Sequence, residues 1–202
     1  FRSGLASLMT WYAHPYTHVL LVTTPLPTGA KYGNTRPYAA RGWCEVERRT
    51  CFVSKCVHCM WDLGGYDPDA LTGLEGMHLY DALRSQLKTG RAPPLTPPAF
   101  ARGLKQRVAE GEVAFSNDAD LELVIEMYRR GFISVFERYR DFDPDGFFAA
   151  FAAMAWGESE ARQVASALGY AAKHCKSKST ISLRFEGNAF GGDGQQAIEK
   201  AI

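Results

Sequence analysis

The sequence predicts an α/β protein: a parallel sheet covered by helices at the N-terminal end, then a helical segment, then a short strand–helix end. Three observations carry that reading. Thr17 to Thr24 is a near-continuous run of aliphatic and β-branched residues closed by Pro25 and Pro27, the pattern of a strand buried on both faces. Leu121, Val124, Ile125, Tyr128, Phe132, Val135, Phe136 and Tyr139 form one apolar stripe at helical spacing. Ile181, Leu183 and Phe185 alternate along a strand, and Asn188 leads from them to a helix carrying Ala197, Ile198 and Ala201.

Taken in order, Leu5, Leu8, Met9 and Tyr12 predict a helix over 1–12, ended by His14-Pro15. Val19, Leu20, Leu21 and Val22 are expected to be buried in the strand that follows. A polar loop with Gly33, Asn34 and Pro37 as turn residues runs to Arg41. A helix over 42–57 is expected next, with Trp43, Val46, Thr50, Val53 and Val57 as its apolar stripe. Residues 60–64 suit a second short strand before Gly64-Gly65, and Leu74, Leu79, Leu83 and Leu87 mark a weaker helix within 73–88. Pro93, Pro94, Pro97 and Pro98 read as a linker over 91–99, which separates an α/β layer over 1–90 from a helical segment over 100–202. Beyond it come a short amphipathic helix over 100–113, the long helix started by Ser116-Asn117-Asp118, a helix over 158–168, a strand over 180–185 and a helix over 195–202.

Composition narrows the function classes. Of 202 residues, 46% are apolar and 22% charged, which argues against global disorder. A formal net charge of +1 gives no footprint for nucleic acid. No run is long enough for a transmembrane helix. Four of the five cysteines crowd into 44–59 (Cys44, Cys51, Cys56 and Cys59), unlike a spread disulfide framework, so a reducing intracellular compartment or organelle is favoured over secretion. The chain begins at Phe1, so a preceding segment is not visible.

Several motifs carry chemistry or resemble ones that do. Trp43 and Glu47 are one helical turn apart, and an acid beside a large aromatic is desolvated, which raises its pKa toward that of a general acid or base. The plainer alternative is an acid near the positive end of a helix. Arg41 and Arg48, within a cluster with Arg36 and Arg49, are candidate anion ligands. Cys51, Cys56, His58 and Cys59 include a C-x-x-C pair but lack a second pair at zinc-site spacing, so buried thiols are the expected role and no metal is expected. Asp141 to Gly146 copies the first half of a calcium loop, but its twelfth position is Ala152, so a turn is expected. No phosphate loop, dinucleotide fingerprint or nucleophile elbow is present, and no cofactor is expected. Trp156-Gly157 with Ala167-Leu168 is echoed by Phe190-Gly191 with Ala201-Ile202 at an offset of 190 − 156 = 34.

The last strand–turn–helix is similar to one unit of a leucine-rich repeat of the ribonuclease-inhibitor type, with Phe185 where leucine is usual. That resemblance implies protein binding. Residues 17–64 resemble the second half of a TIR-like (Toll/interleukin-receptor) fold, a flavodoxin-like arrangement. In that family a strand and loop lead to a helix opening W-C-x-x-E, here Trp43, Cys44 and Glu47. In NAD-cleaving members the glutamate is catalytic, which by resemblance places that role on Glu47. A TIR domain opens with a strand and a loop that build the nucleotide pocket, whereas only one helix precedes the Thr17 strand here. The fold expected is therefore a truncated TIR-like sheet, a helical segment and a repeat-like end.

Two functions follow. The first is a non-catalytic protein–protein interaction or scaffold subunit of a larger assembly, meeting protein partners through Trp156, Phe190, Ile198 and Ile202. The second is an NAD nucleosidase of TIR type using Glu47. A cleft at Glu47 favours the second; Glu47 paired to Arg48, Arg41 or solvent favours the first. The incomplete pocket and incomplete repeat array place the first ahead, with no NAD consumption expected.

Overall fold

In a computed structural model, residues 2–14, 17–29, 31–55, 57–138, 147–176 and 181–202 are described. The protein is mixed α/β and mostly helical, with two small parallel sheets. The first half contains α1 (Arg2–Ala13), β1 (Val19–Leu21), α2 (Gly42–Ser54), β2 (Met60–Asp62) and α3 (Gly76–Leu87). β1 and β2 pair in parallel, Val19 opposite Met60, and α2 lies in the crossover that parallel strands need. The second half contains α4 (Pro97–Ala109), α5 (Asp120–Arg138), β3 (Phe147–Ala150), α6 (Glu158–His174), β4 (Ile181–Arg184) and α7 (Gly191–Ala201).

The helix over 42–57 ends at Ser54, and its stripe packs as expected: Val46, Thr50 and Val53 are fully buried. Thr50 satisfies its own hydroxyl by donating to the Val46 carbonyl at 2.8 Å, and Ser54 donates to Ala13 O at 2.8 Å, fixing α1 on α2. α5 is the central helix. Val124, Tyr128, Phe132, Val135 and Phe136 are buried, and Gly131 lets Met9 of α1 approach within 3.3 Å of the position a Cβ would occupy.

Three expectations are corrected. The Thr17–Thr24 run is not buried on both faces. Val19 and Leu21 are buried against α2, but Leu20 and Val22 are each 59% exposed, because helices cover only one face of the two-stranded sheet. The stretch 91–99 is not a solvated linker. Arg91, Pro93, Pro94 and Pro97 are buried, and α4 starts within it, capped by Thr96, whose side chain accepts from Ala99 N–H. Three of its carbonyls are engaged from the second half: Trp156 Nε1 donates to Arg91 O at 2.8 Å, Gln163 to Pro93 O at 3.2 Å and Tyr128 to Leu95 O at 2.8 Å. The Arg91 side chain reaches the other way, donating to Phe52 O at 3.1 Å and to Lys55 O at the end of α2, with its guanidinium over the rings of Phe151 and Trp156. One buried cluster accordingly includes Ala13, Val46 and Val53 together with Phe100, Phe132 and Val164. Third, the helices expected over 158–168 and 195–202 run farther, to His174 and from Gly191.

β3, which has no alternating pattern of its own, pairs in parallel with β4: Phe147 opposite Ile181, Ala150 opposite Arg184. Each pair is 34 residues apart, the offset of the sequence repeat (181 − 147 = 34). The Asp141–Gly146 turn and Cys56 lie outside the described residues.

Candidate functional site

α2 sets two acids side by side and gives them different surroundings. Glu45 is in the first turn and 4% exposed. Its carboxylate receives Arg48 at 2.7 Å, Arg49 at 2.9 Å and Arg107 at 3.0 Å. Burial pushes its pKa up, but the guanidiniums of Arg49 and Arg48 outweigh that and hold it below the ordinary carboxylate value. Glu45, which the sequence reading passed over, is thus the helix-terminal acid and the partner of Arg48.

Glu47 faces away from that network and makes no ion pair among the described residues. It is half-buried, and burial raises its pKa; the nearby Tyr12 phenol opposes part of the rise. Tyr12 is in turn held neutral by burial and by Glu47. The aromatic that acts on the Glu47 carboxyl is Tyr12, which lines the same cleft, while the Trp43 indole N–H donates to Asp120 Oδ2 at 2.9 Å. Nothing in local spacing points to Tyr12, because α1 brings it from 35 residues upstream (47 − 12 = 35).

Glu47 lines a cleft of about 580 Å³, together with Tyr12, Tyr38, Cys44, Arg36 and Arg41. One wall is β1 and residues 22–27; another is 35–38. β1 and the loop that follows it thus supply these walls. Arg41 is fixed by its Nε donating to Arg36 O at 2.8 Å, and Arg48 lines the same cleft while paired to Glu45. Three guanidiniums line this cleft, Arg36, Arg41 and the Glu45-paired Arg48, which suits it to an anion. Cys44 is no ready nucleophile: burial and then Glu47 push its thiol pKa up, against Arg41.

The four interaction candidates divide. Trp156 is 4% exposed and is spent on the core and on Arg91 O. Ile198 is 5% exposed, covered within the chain by the α6–α7 contact, so the expectation that it waits for a partner is corrected. Phe190 is half-buried edge-on to Phe185. Ile202, at 75%, is exposed. Asn188 behaves as its turn position demands: Oδ1 accepts from Met154 N–H at 3.1 Å and Trp156 N–H at 3.2 Å, and Nδ2 donates to Phe185 O at 2.9 Å and Phe151 O at 2.6 Å.

Among the described residues no cluster of His, Cys, Asp and Glu has the makings of a metal site, and no helix is long and apolar enough to cross a membrane. Comparison with family models, with curated proteins and with solved structures finds no match.

Proposed function

We propose that the protein is a non-catalytic interaction subunit that docks proteins through its repeat-like C-terminal end. The observation that supports this reading is the stacking of two strand–helix units, β3–α6 and β4–α7, in a 34-residue register. Such units bury apolar surface by lying against a neighbour, and the outward side of the second unit, with Ala189 and Ile202 exposed, lies open. The test is purification of the native protein under mild conditions followed by mass spectrometry. Stoichiometric protein partners support the reading, and a lone monomer at native concentration removes it.

The cleft at Glu47 favours a second reading, an NAD nucleosidase. There the Glu47 carboxylate would hold the ribose hydroxyls and stabilise positive charge at the anomeric carbon, while Arg36 and Arg41 meet phosphates. The C–N bond breaks with its electron pair going to the nicotinamide, water oxygen bonds the ribose carbon, and a water proton is released. A cationic leaving group needs no general acid, so one carboxylate is enough. It stands second because burial, which raises the pKa of Glu47, disfavours the carboxylate form that this chemistry needs. Incubation with NAD decides between the two: nicotinamide release that disappears in Glu47→Gln establishes the enzyme, and no release above that control leaves the interaction reading.

A further inference from the structure

The first repeat unit offers a set of main-chain groups that the second unit satisfies. Phe151 N–H donates to Arg184 O at 3.0 Å and Ala153 N–H to Glu186 O at 2.7 Å. Met154 and Trp156 N–H both donate to Asn188 Oδ1, at 3.1 and 3.2 Å. In return Ala189 N–H donates to Trp156 O at 2.7 Å, and Asn188 Nδ2 donates to Phe151 O at 2.6 Å. Gly187, at φ 76°, packs over Ala153, at φ 55°, so the two turns nest backbone on backbone. Gly187 and Ala153 are again 34 apart (187 − 153 = 34).

Adding 34 to each donor of the first unit gives Phe185, Gly187, Asn188 and Phe190. None of these four N–H groups donates a hydrogen bond to a described residue. The second unit therefore displays again, without a partner among the described residues, the four N–H donors that the first unit displays filled, while its Phe185 O, which already accepts Asn188 Nδ2 at 2.9 Å, keeps a second lone pair for another donor. Exposed strand edges with aligned donors are templates for another strand.

We infer that this edge is a docking site for a parallel strand–turn segment bearing an asparagine in its turn. This rests on the interaction reading and names the kind of partner it requires. The occupant presents two carbonyls, four and two residues before the asparagine, to Phe185 and Gly187 N–H. Its asparagine Oδ1 accepts from Asn188 and Phe190 N–H, its Nδ2 donates to Phe185 O, and the next residue's N–H donates to Phe190 O. Aspartate does not substitute. It accepts as well as asparagine does, but it has no donor for Phe185 O and sets a negative charge beside that carbonyl. A second copy of this chain does not substitute either. Stacked head to tail, it would present β3 and its turn, and the position equivalent to Asn188 there is Met154 (188 − 34 = 154), which has no such acceptor and donor pair.

The experiment titrates the full isotope-labelled chain with a synthetic peptide of residues 181–190 and follows amide hydrogen exchange. Protection at Phe185, Gly187, Asn188 and Phe190, with binding at least tenfold weaker for peptides carrying Asp or Ala at the asparagine, is expected. Equal binding by the three peptides, protection confined to other residues, or none at millimolar peptide overturns the proposal. Crosslinking of co-purified native partners separates this from the broader reading. Partners that map to the exposed Leu20 and Val22 face, and not to β4 and its turn, keep the interaction function and sink this site.

Discussion

Glu45 and Glu47 are two residues apart on one helix and affect stability with opposite signs. Glu45 has a lowered pKa in the folded chain. Its contribution is present above the unfolded carboxyl value and is lost as pH falls through the lower folded one. Glu45→Gln is therefore expected to cost about 1–3 kcal/mol at neutral pH, with the difference from the parent chain closing in acid; urea titrations at a series of pH values measure it. Glu47 has a raised pKa, so the folded chain holds its proton more tightly than the unfolded chain. Below the unfolded value both states are protonated and nothing is lost. As pH rises through the window from the unfolded to the folded value, the buried charge becomes a growing penalty. Glu47→Gln should thus be neutral in acid and raise the melting temperature at neutral pH. A lower neutral melting temperature for that variant would show that the carboxylate is compensated by a partner other than Tyr12. Glu47 was singled out in the sequence by its spacing from Trp43 and Cys44. Its setting was not legible there. Tyr12 reaches it only through the packing of α1 on α2, and Trp43 turns to Asp120 across 77 residues.

At the scale of elements, the two small sheets show why one was misjudged and the other partly anticipated. The run Val19 to Val22 is apolar at every position, and sequence alone assigns such a run to a strand with two covered faces. The structure covers one face, so cost should alternate. Leu21→Ala is expected to lose roughly 2–5 kcal/mol, as a buried leucine does. Leu20→Ser, at a position 59% exposed, should change stability by no more than about 0.5 kcal/mol. Equal losses measured by denaturant unfolding would restore the two-faced sheet. In the second sheet, alternation of Ile181, Leu183 and Phe185 announced β4, whereas Phe147 to Ala150 has no alternation and becomes a strand because β4 pairs with it. The 34-residue echo contained that pairing, since it equals the strand register. Asn188 then carries more than a turn position suggests. Asn188→Ala removes its four side-chain hydrogen bonds and should cost about 2–4 kcal/mol, given ~1–3 kcal/mol for a buried group left unpaired. The loss should appear together with faster amide exchange at Met154 and Trp156.

For the whole molecule, the decisive stretch is the one composition marks as a spacer. Prolines at 93, 94, 97 and 98 do stiffen it, but stiffness serves a bound strap as well as a free linker. What composition does not reveal is the use made of its carbonyls. Arg91, Pro93 and Leu95 receive Trp156, Gln163 and Tyr128, while the Arg91 side chain holds Phe52 O and Lys55 O. Every one of those partners is at least 33 residues away, beyond the reach of any local pattern. The strap therefore joins the end of α2 to α5 and α6, and α1 and α2 pack directly on α5. A chain cut into 1–90 and 100–202 would expose Val46 and Val53 on one piece and Phe132 and Val135 on the other, each fully buried or nearly so in the intact protein. Neither piece is expected to show cooperative unfolding alone. Replacing Arg91 with methionine in the intact chain should lower stability in both halves together, because it releases the α2 carbonyls and uncovers Phe151 and Trp156 at once. Hydrogen exchange reads that directly: faster exchange in α2 and in α6 to a similar extent is the expected result, and a change confined to one of them would mean that 91–99 is a linker after all.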